Sequence, residues 1–211
     1  MSTQSVALAI TGASGAAYGL RLLEVLLAKR IRVHLVISAP GRIVIAEETD
    51  LRLPSKANEI CTIFNSRFDA QPGDLQVYGR EDWFAPIASG SNPPDAMVIC
   101  PCTTGTLAEV AAGTSRSLIE RAADVALKEK RRLILVVRET PFSAIHLRNM
   151  LCLAEAGAVI MPANPGFYHR PDSAEEIVDY MVARILDHLG VDHELMARWG
   201  ADRMPQTEGK R

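Results

Sequence analysis

This 211-residue sequence has no excess of charge, no paired cysteine spacing and none of the common nucleotide motifs. Each lack excludes something. Twenty-three Lys and Arg face 25 Asp and Glu, and a formal net charge of -2 makes no electrostatic case for nucleic acid or an anionic membrane. Cys61, Cys100, Cys102 and Cys152 form no C-x-x-C pair, so neither a zinc site nor a disulfide framework is indicated. No Asp-Asp-x-x-Asp run or His/Asp cluster stands ready for Mg²⁺, so any phosphate chemistry falls to Lys and Arg, with no metal expected. The first residues lack a basic stretch and their apolar run ends at Gly12, so neither a signal peptide nor a membrane span is expected, and the cytoplasm is the expected compartment.

What is present is globular: 48% hydrophobic and 23% charged residues, enough for a substantial core. Residues 1–200 read as a single domain and 201–211 as a polar, mobile tail. Val6 to Ile10 is a short apolar run, followed by Thr11 and the small-residue stretch Gly12-Ala-Ser-Gly-Ala-Ala-Tyr-Gly19. Leu20, Leu23 and Leu27 then recur at helical spacing, and Ile31 to Ser38 is a second, β-branched run. This is a β-α-β unit with parallel strands and a right-handed crossover. Free amides at the start of its helix suit a phosphate, and Ser14 and Ser38 add hydroxyls on the same sheet edge. The spacing Gly12, Gly15, Gly19 is neither G-x-G-x-x-G nor a P-loop, so tight packing of the turn is an equal reading.

The same logic returns at Ala96-Met-Val-Ile-Cys100, a buried strand followed by Pro101-Cys-Thr-Thr-Gly-Thr106 and a helix over Leu107 to Ala112. Two such turns on one edge can grip one anion, and open α/β sheets bind ligands there. Between the two units, Ala39 to Arg42 reads as a loop and Ile43 to Asp50 as a helix whose Glu47-Glu48 pair is either acid/base machinery or a solvated face. Leu51 to Asp82 shows little periodicity beyond a short strand at Leu75 to Tyr78. Trp83 to Pro94, with Ser89, Gly90 and Ser91, is an ordered loop, its aromatics either stapling it to the core or serving a site.

Leu118 to Arg132 is a helix on which Arg121 and Lys128 share a side two turns apart, with Asp124 placed to bridge them. A solvent-facing ion-pair ladder and an anion grip both fit that spacing. Leu133 to Val137 is a buried strand, and Arg138-Glu139 at its C-terminal end faces the ligand edge. A helix over Ser143 to Ala156, a strand over Ala158 to Met161 and a proline-bounded loop carrying Tyr168 and His169 follow. The last long helix is capped by Ser173 in an S-x-x-E box with Glu176, and places Arg184 near its apolar stripe. The expected architecture is a Rossmann-like α/β three-layer sandwich, its mostly parallel sheet flanked by helices.

Several blocks occur together and in order: Thr11-Gly-Ala-Ser-Gly15, Ser89-Gly-Ser91, Met97 to Cys102, Glu120 to Lys128, Val137 to Pro141, Gly157 to Pro162 and Phe167 to Pro171. Over nearly its whole length the chain resembles the UbiX-type flavin prenyltransferases of the homo-oligomeric flavoprotein superfamily. The resemblance implies that reduced FMN is alkylated by dimethylallyl phosphate at N5 and C6, without metal, to give prenylated FMN for a UbiD-type decarboxylase. It also implies a large homo-oligomer, typically a dodecamer, with sites at subunit contacts.

Carried over by residue, the resemblance assigns FMN to Gly12, Ala13, Ser14, Ser38, Cys102, Thr103, Thr104, Gly105 and Arg138. It assigns the allylic phosphate to Arg121, Lys128, Tyr168 and Arg184, with Ser89 and Gly90 beside it. Trp83 and Trp199 are implied as π-faces for an allyl cation, and Glu48, Glu139 and Ser14 as catalytic groups alongside Arg121 and Lys128. Two other readings stand beside this one. A flavin-dependent cysteine decarboxylase would need a histidine where the chain has Ser38-Ala-Pro-Gly41. A non-catalytic FMN binder would need the turns but not the four cations.

Overall fold

The computed structural model describes residues 3–196 and residue 198. Trp199 and the tail expected over 201–211 lie outside the described residues. Six strands form one sheet: β1 (Ser5–Ile10), β2 (Arg32–Ile37), β3 (Leu75–Tyr78), β4 (Ala96–Cys102), β5 (Arg132–Val137) and β6 (Val159–Ile160). Their order is β3-β2-β1-β4-β5-β6 and every pairing is parallel, where the sequence promised only a mostly parallel sheet. The central strands are apolar throughout because both their faces are covered.

Seven helices cover the sheet: α1 (Ala16–Ala28), α2 (Ala39–Glu48), α3 (Ala57–Arg67), α4 (Thr104–Ala111), α5 (Leu118–Lys128), α6 (Ala144–Glu155) and α7 (Ala174–Leu189). Alternation along β1 divides the core. Val6, Leu8 and Ile10 pack with α1 and α7, whereas Ala7 and Ala9 pack with α4, α5 and α6. The chain winds outward from β1 to β3, returns to β4 and winds outward the other way to β6. The direction reverses between β1 and β4, and in open parallel sheets that crevice, at the C-terminal strand ends, is where ligands bind.

The structure corrects several local readings. Ala39 to Arg42 is the first turn of α2, not a loop: Ser38 is the N-cap and accepts from the Gly41 amide at 3.0 Å. Pro40 in that turn lacks only an amide that would have had no helical partner. The helix α3 was missed because it buries just Ile60 and Phe64, too thin a stripe to show as periodicity. The helix α4 begins three residues earlier than expected, capped by Thr103, which accepts from the Thr106 amide. Ser173 caps α7 as expected, but Glu176 accepts from the Asp172 amide, one residue before the box position. Among the described residues no helix is long and apolar enough to cross a membrane.

At the N-terminal end of the crevice strands, the Asp95 carboxylate accepts from the Gln4 and Ser5 amides, both at 2.9 Å, and from the Ser5 hydroxyl at 3.1 Å. These bonds tie the start of β1 to the residue that precedes β4. Partial burial pushes the Asp95 pKa up, but the bonds from Gln4 and Ser5 and the nearby Arg131 outweigh it and hold the group below its usual value of 3.8. A carboxylate with a lowered folded-state pKa contributes stability above its unfolded pKa and loses it as pH falls through the folded value. Asp95→Ala is therefore expected to destabilise by about 1–2 kcal/mol at neutral pH. In melts from pH 7 to pH 2 the gap to wild type should close on the acid side, and a constant gap would contradict the assignment.

Candidate active site

The two turns at the crevice are joined by one buried hydroxyl. Thr11, 2% exposed, donates from Oγ1 to the Pro101 carbonyl at 2.8 Å and accepts from the Thr103 amide at 2.9 Å. Its own amide also bonds the Pro101 carbonyl, at 3.2 Å. Thr11 was read only as the edge of a motif. Its position one residue past β1, opposite a second hydroxyl-rich turn, was the available signal.

The turn after β1 passes close to α2. A Cβ on Gly41 would lie 2.6 Å from the Ile10 carbonyl, so only glycine lets α2 start against the end of β1. Gly15, with φ 103°, is the left-handed N-cap of α1. The anion held by the first amides of α1 belongs to the chain itself: Glu48, at the end of α2, accepts from the Gly15 amide at 2.9 Å and from Ala16 at 2.8 Å. Glu48 is exposed, as the solvated-face reading expects, and it engages these backbone donors as well. Its carboxylate sits at the positive end of a helix, where the dipole favours it.

Of the residues expected to meet a flavin, Ser38 and Thr103 turn their hydroxyls into helix caps. Thr104 and Gly105 are the first residues of α4, whose opening amides have no intrahelical acceptor. A Cβ on Gly105 would find only the Thr103 hydroxyl, at 3.8 Å, so this helix start has room beside it. Between the two turns, amides that suit an anion are thus offered at α4, while those of α1 are held by Glu48. Ala13 and Cys102 are buried beside them, and burial pushes the Cys102 thiol up to about 12, so it is a packing group rather than a nucleophile.

Arg138 reaches the same place from β5, its Nε donating to the Ser14 carbonyl at 3.2 Å. The hydroxyl of Ser14 is exposed beside it. Glu139 accepts from the Thr140 amide at 3.0 Å. The sequence reading missed Tyr18, half-buried on α1 against Gly15 and within the fields of Arg138 and Glu48. Burial is the largest influence on its phenol and the Cys100 thiol the next; both raise its pKa, and Arg138 pulls against them. A residue inside a helical run gave no sequence signal of its own.

The remaining cations stand elsewhere. Arg121 donates from Nε to the Ala88 carbonyl at 2.9 Å and pairs with Asp124 at 2.8 Å. Lys128 pairs with Glu129 instead, so Asp124 does not bridge the two as the spacing suggested. A Cβ on Gly90 would lie 2.6 Å from Lys128 Nζ, which places the Ser89-Gly-Ser91 loop directly on this lysine. Ser89 and Ser91 hydroxyls are 3.0 Å apart. Lys128 ends α5 just before β5 begins, whereas Arg138 follows the end of β5, so within one chain the length of a six-residue strand, roughly 20 Å, separates them.

Tyr168 is 80% exposed on its loop, and Arg184 on α7 pairs with Asp187 at 2.7 Å. Trp83 and Phe84 do not staple their loop: they are 46% and 105% exposed, and Ile87 in the 3₁₀ turn Pro86–Ala88 is the anchor, 1% exposed. No group of three or more His, Cys, Asp or Glu among the described residues comes together as a metal site.

An all-parallel sheet with two tied βα turns at its switch point defines a Rossmann-like α/β fold that binds ligands at that crevice, and a family model described as Flavoprotein matches residues 1–186. The flavin prenyltransferase UbiX of Pseudomonas aeruginosa is 53% identical over 97% of this chain and 98% of its own length. AnUbiX, solved in complex with FMN and dimethylallyl pyrophosphate, superposes with a TM-score of 0.83 at 40% identity, covering 93% of this chain and 97% of that one. A dodecameric FMN-dependent UbiX-like decarboxylase from Escherichia coli O157:H7 superposes with a TM-score of 0.80 at 38% identity, covering 92% of this chain and 98% of that one. The chain belongs to the Flavoprotein family, and within it to the UbiX flavin prenyltransferases.

The geometry makes Thr11 the joint of the site. Thr11→Val keeps the shape but leaves the Thr103 amide without its acceptor. It is expected to lower stability by about 2 kcal/mol and to weaken FMN binding. Thermal melts and flavin fluorescence titration would read both, and unchanged FMN affinity would remove Thr11 from the site.

Proposed function

We propose that this protein transfers the dimethylallyl group of dimethylallyl phosphate to N5 and C6 of reduced FMN, the product serving a UbiD-type decarboxylase. The observation that carries this reading is the near full-length match to flavin prenyltransferases in a chain that sets Arg138 at the crevice and Arg121 and Lys128 on α5. In the transfer the allylic C–O bond breaks and its electron pair leaves on the phosphate. A bond forms at N5, whose proton passes to the released phosphate, and another at C6, whose lost proton balances the one gained by the allylic double bond. Reduced FMN supplies the nucleophilic nitrogen and carbon.

The chain's own residues hold and neutralise. Amides at the start of α4, the exposed Ser14 hydroxyl and Arg138 suit FMN. Arg121, Lys128, Tyr168 and Arg184 suit the allylic phosphate, where fixed cations stabilise the charge gathering on the leaving oxygen. Trp83 and Trp199 are assigned to shelter the allyl cation. Glu48 and Glu139 are assigned to proton handling, with the departing phosphate as a second base. For Glu48 this means leaving the α1 amides or sharing them with the reacting groups.

Because one strand length separates Lys128 from Arg138 within a chain, an FMN held at Arg138 meets a donor phosphate held at Lys128 only if different copies supply the two groups. We therefore extend the proposal to a homo-oligomer, a dodecamer as in the Escherichia coli relative, whose contacts complete the site. The exposed apolar groups Ile145, Leu147 and Leu151 on α6, 65%, 54% and 59% exposed, suit such a contact. A cysteine decarboxylase reading finds no histidine at Ser38, which instead caps α2.

Anaerobic incubation with reduced FMN and either dimethylallyl phosphate or its pyrophosphate, without added metal, tests the reaction by mass spectrometry of the extracted flavin. A gain of one prenyl unit is expected, and bound but unmodified FMN would demote the protein to a flavin binder. Lys128→Ala is expected to keep FMN while turnover falls at least a hundredfold. Loss of FMN with chemistry retained would refute the assignment. Leu151→Glu should reduce the mass seen by light scattering and lower turnover with it. A monomer of full activity would refute assembly of the site between copies.

A further inference from the structure

The loop between β6 and α7 carries three prolines, Pro162, Pro165 and Pro171, and forms no regular element. Ala163 is tied to the sheet by its amide on the Val137 carbonyl, at 2.9 Å, and Asp172 is tied to α7 by its amide on Glu176, at 3.0 Å. Between those ties a ring of α7 supports the tip at two points. His169 stacks on Tyr180 of α7, with ring centroids 5.4 Å apart and planes 7° from parallel. Gly166 lies against the edge of the same ring, where a Cβ would stand 2.9 Å from the Tyr180 hydroxyl and 3.0 Å from Cζ.

Gly166 and His169 thus bracket Phe167 and Tyr168, which are 65% and 80% exposed. A turn closes between them, the Arg170 amide donating to the Phe167 carbonyl at 3.0 Å with Arg170 at φ 52°. The Nε2 of His169 is buried and has no hydrogen-bond partner, so the imidazole serves there by its face rather than by a proton. Tyr180 also precedes Arg184 by one helical turn, on the same side of α7.

We propose that Tyr180 is a positioning residue for donor binding: its ring fixes the tip that presents Tyr168 and sets that tip in register with Arg184. The inference rests on the reading of Tyr168 and Arg184 as phosphate-binding groups. Tyr180 itself need not touch the donor. Its ring holds two points of a loop whose backbone has few other bonds, so that Tyr168 is ordered before the phosphate arrives rather than by it. The absence of a side chain at Gly166 belongs to the same device, because a methyl there meets the ring it should rest on.

The test compares Tyr180→Leu, Tyr180→Phe, Gly166→Ala and Tyr168→Phe in the FMN-loaded protein. Calorimetry with dimethylallyl phosphate on oxidised FMN protein reads binding without turnover, and initial rates under reduction read KM and kcat separately. Tyr180→Leu and Gly166→Ala are expected to raise donor Kd and KM about tenfold, with kcat and FMN affinity close to wild type. Tyr180→Phe, which keeps the stack, should restore wild-type values. Donor Kd unchanged in Tyr180→Leu, beside a raised Kd in Tyr168→Phe, would overturn the positioning role alone. An unchanged Kd in Tyr168→Phe would overturn the phosphate reading and the inference with it. A Tyr180→Leu that melts early and loses FMN, unrescued by Phe, would show a merely structural ring and overturn it as well.

Discussion

The bond network of Thr11 is the constraint on which the crevice depends. A parallel sheet that reverses its winding direction leaves the first residues after two neighbouring strands side by side, with no ladder left to align them. Here the alignment comes from a hydroxyl that both donates and accepts, linking the Pro101 carbonyl to the Thr103 amide across the switch point. Because Thr11 is buried, neither bond competes with water, and losing either would leave a desolvated polar group. The position of Thr103 in turn fixes where α4 starts, since its side chain is the cap. One threonine just past β1 therefore sets the place of the α4 amides relative to the small-residue turn. Asp95 does the corresponding work at the opposite end of the same two strands.

Hydroxyls and carboxylates near such a crevice can serve folding and binding at once, and the two uses compete for the same lone pairs. Ser38 and Thr103 accept from backbone amides of the helices they cap; Ser38 keeps its hydroxyl proton for a ligand, whereas Thr103 donates its own to the Thr106 hydroxyl at 3.0 Å. Glu48 makes the more consequential choice. By closing on the α1 amides it stabilises a left-handed entry at Gly15 and removes those donors from any phosphate. The effect is to separate the two turns chemically: one is shut by an internal anion, the other has its opening amides available.

The frame of this molecule was readable because its signals are periodic. Buried strands such as Val6 to Ile10 and Leu133 to Val137 are continuous apolar runs, and α5 has an unambiguous apolar face. Reading failed where the physics is not periodic. The helix α3 buries two side chains and leaves the rest to solvent, so its sequence carries no stripe. Pro40-Gly41 looks like a turn, yet one residue spares an amide that needs no partner and the other permits contact with the Ile10 carbonyl, which suits a helix start. Site residues were legible as types at strand ends, as with Arg138. Their partners were not: Asp124 was equally spaced for two cations and engages one, and nothing near Glu48 in sequence names the Gly15 amide as its partner. Tyr18 and Tyr180 sit inside helices and gain their meaning from Gly15, His169 and Gly166, 3 to 14 residues away.

The distribution of cations carries a last consequence for how such a site must close. Four positive groups converging on one site within one chain would repel one another in the absence of ligand and weaken the fold that holds them. Here three are neutralised locally, Arg121 by Asp124, Lys128 by Glu129 and Arg184 by Asp187, while Arg138 leans on a carbonyl. These are exposed pairs of small net worth, easily exchanged for a stronger anion. Separating Lys128 from Arg138 by the length of β5 lets each subunit fold without bearing the full repulsion.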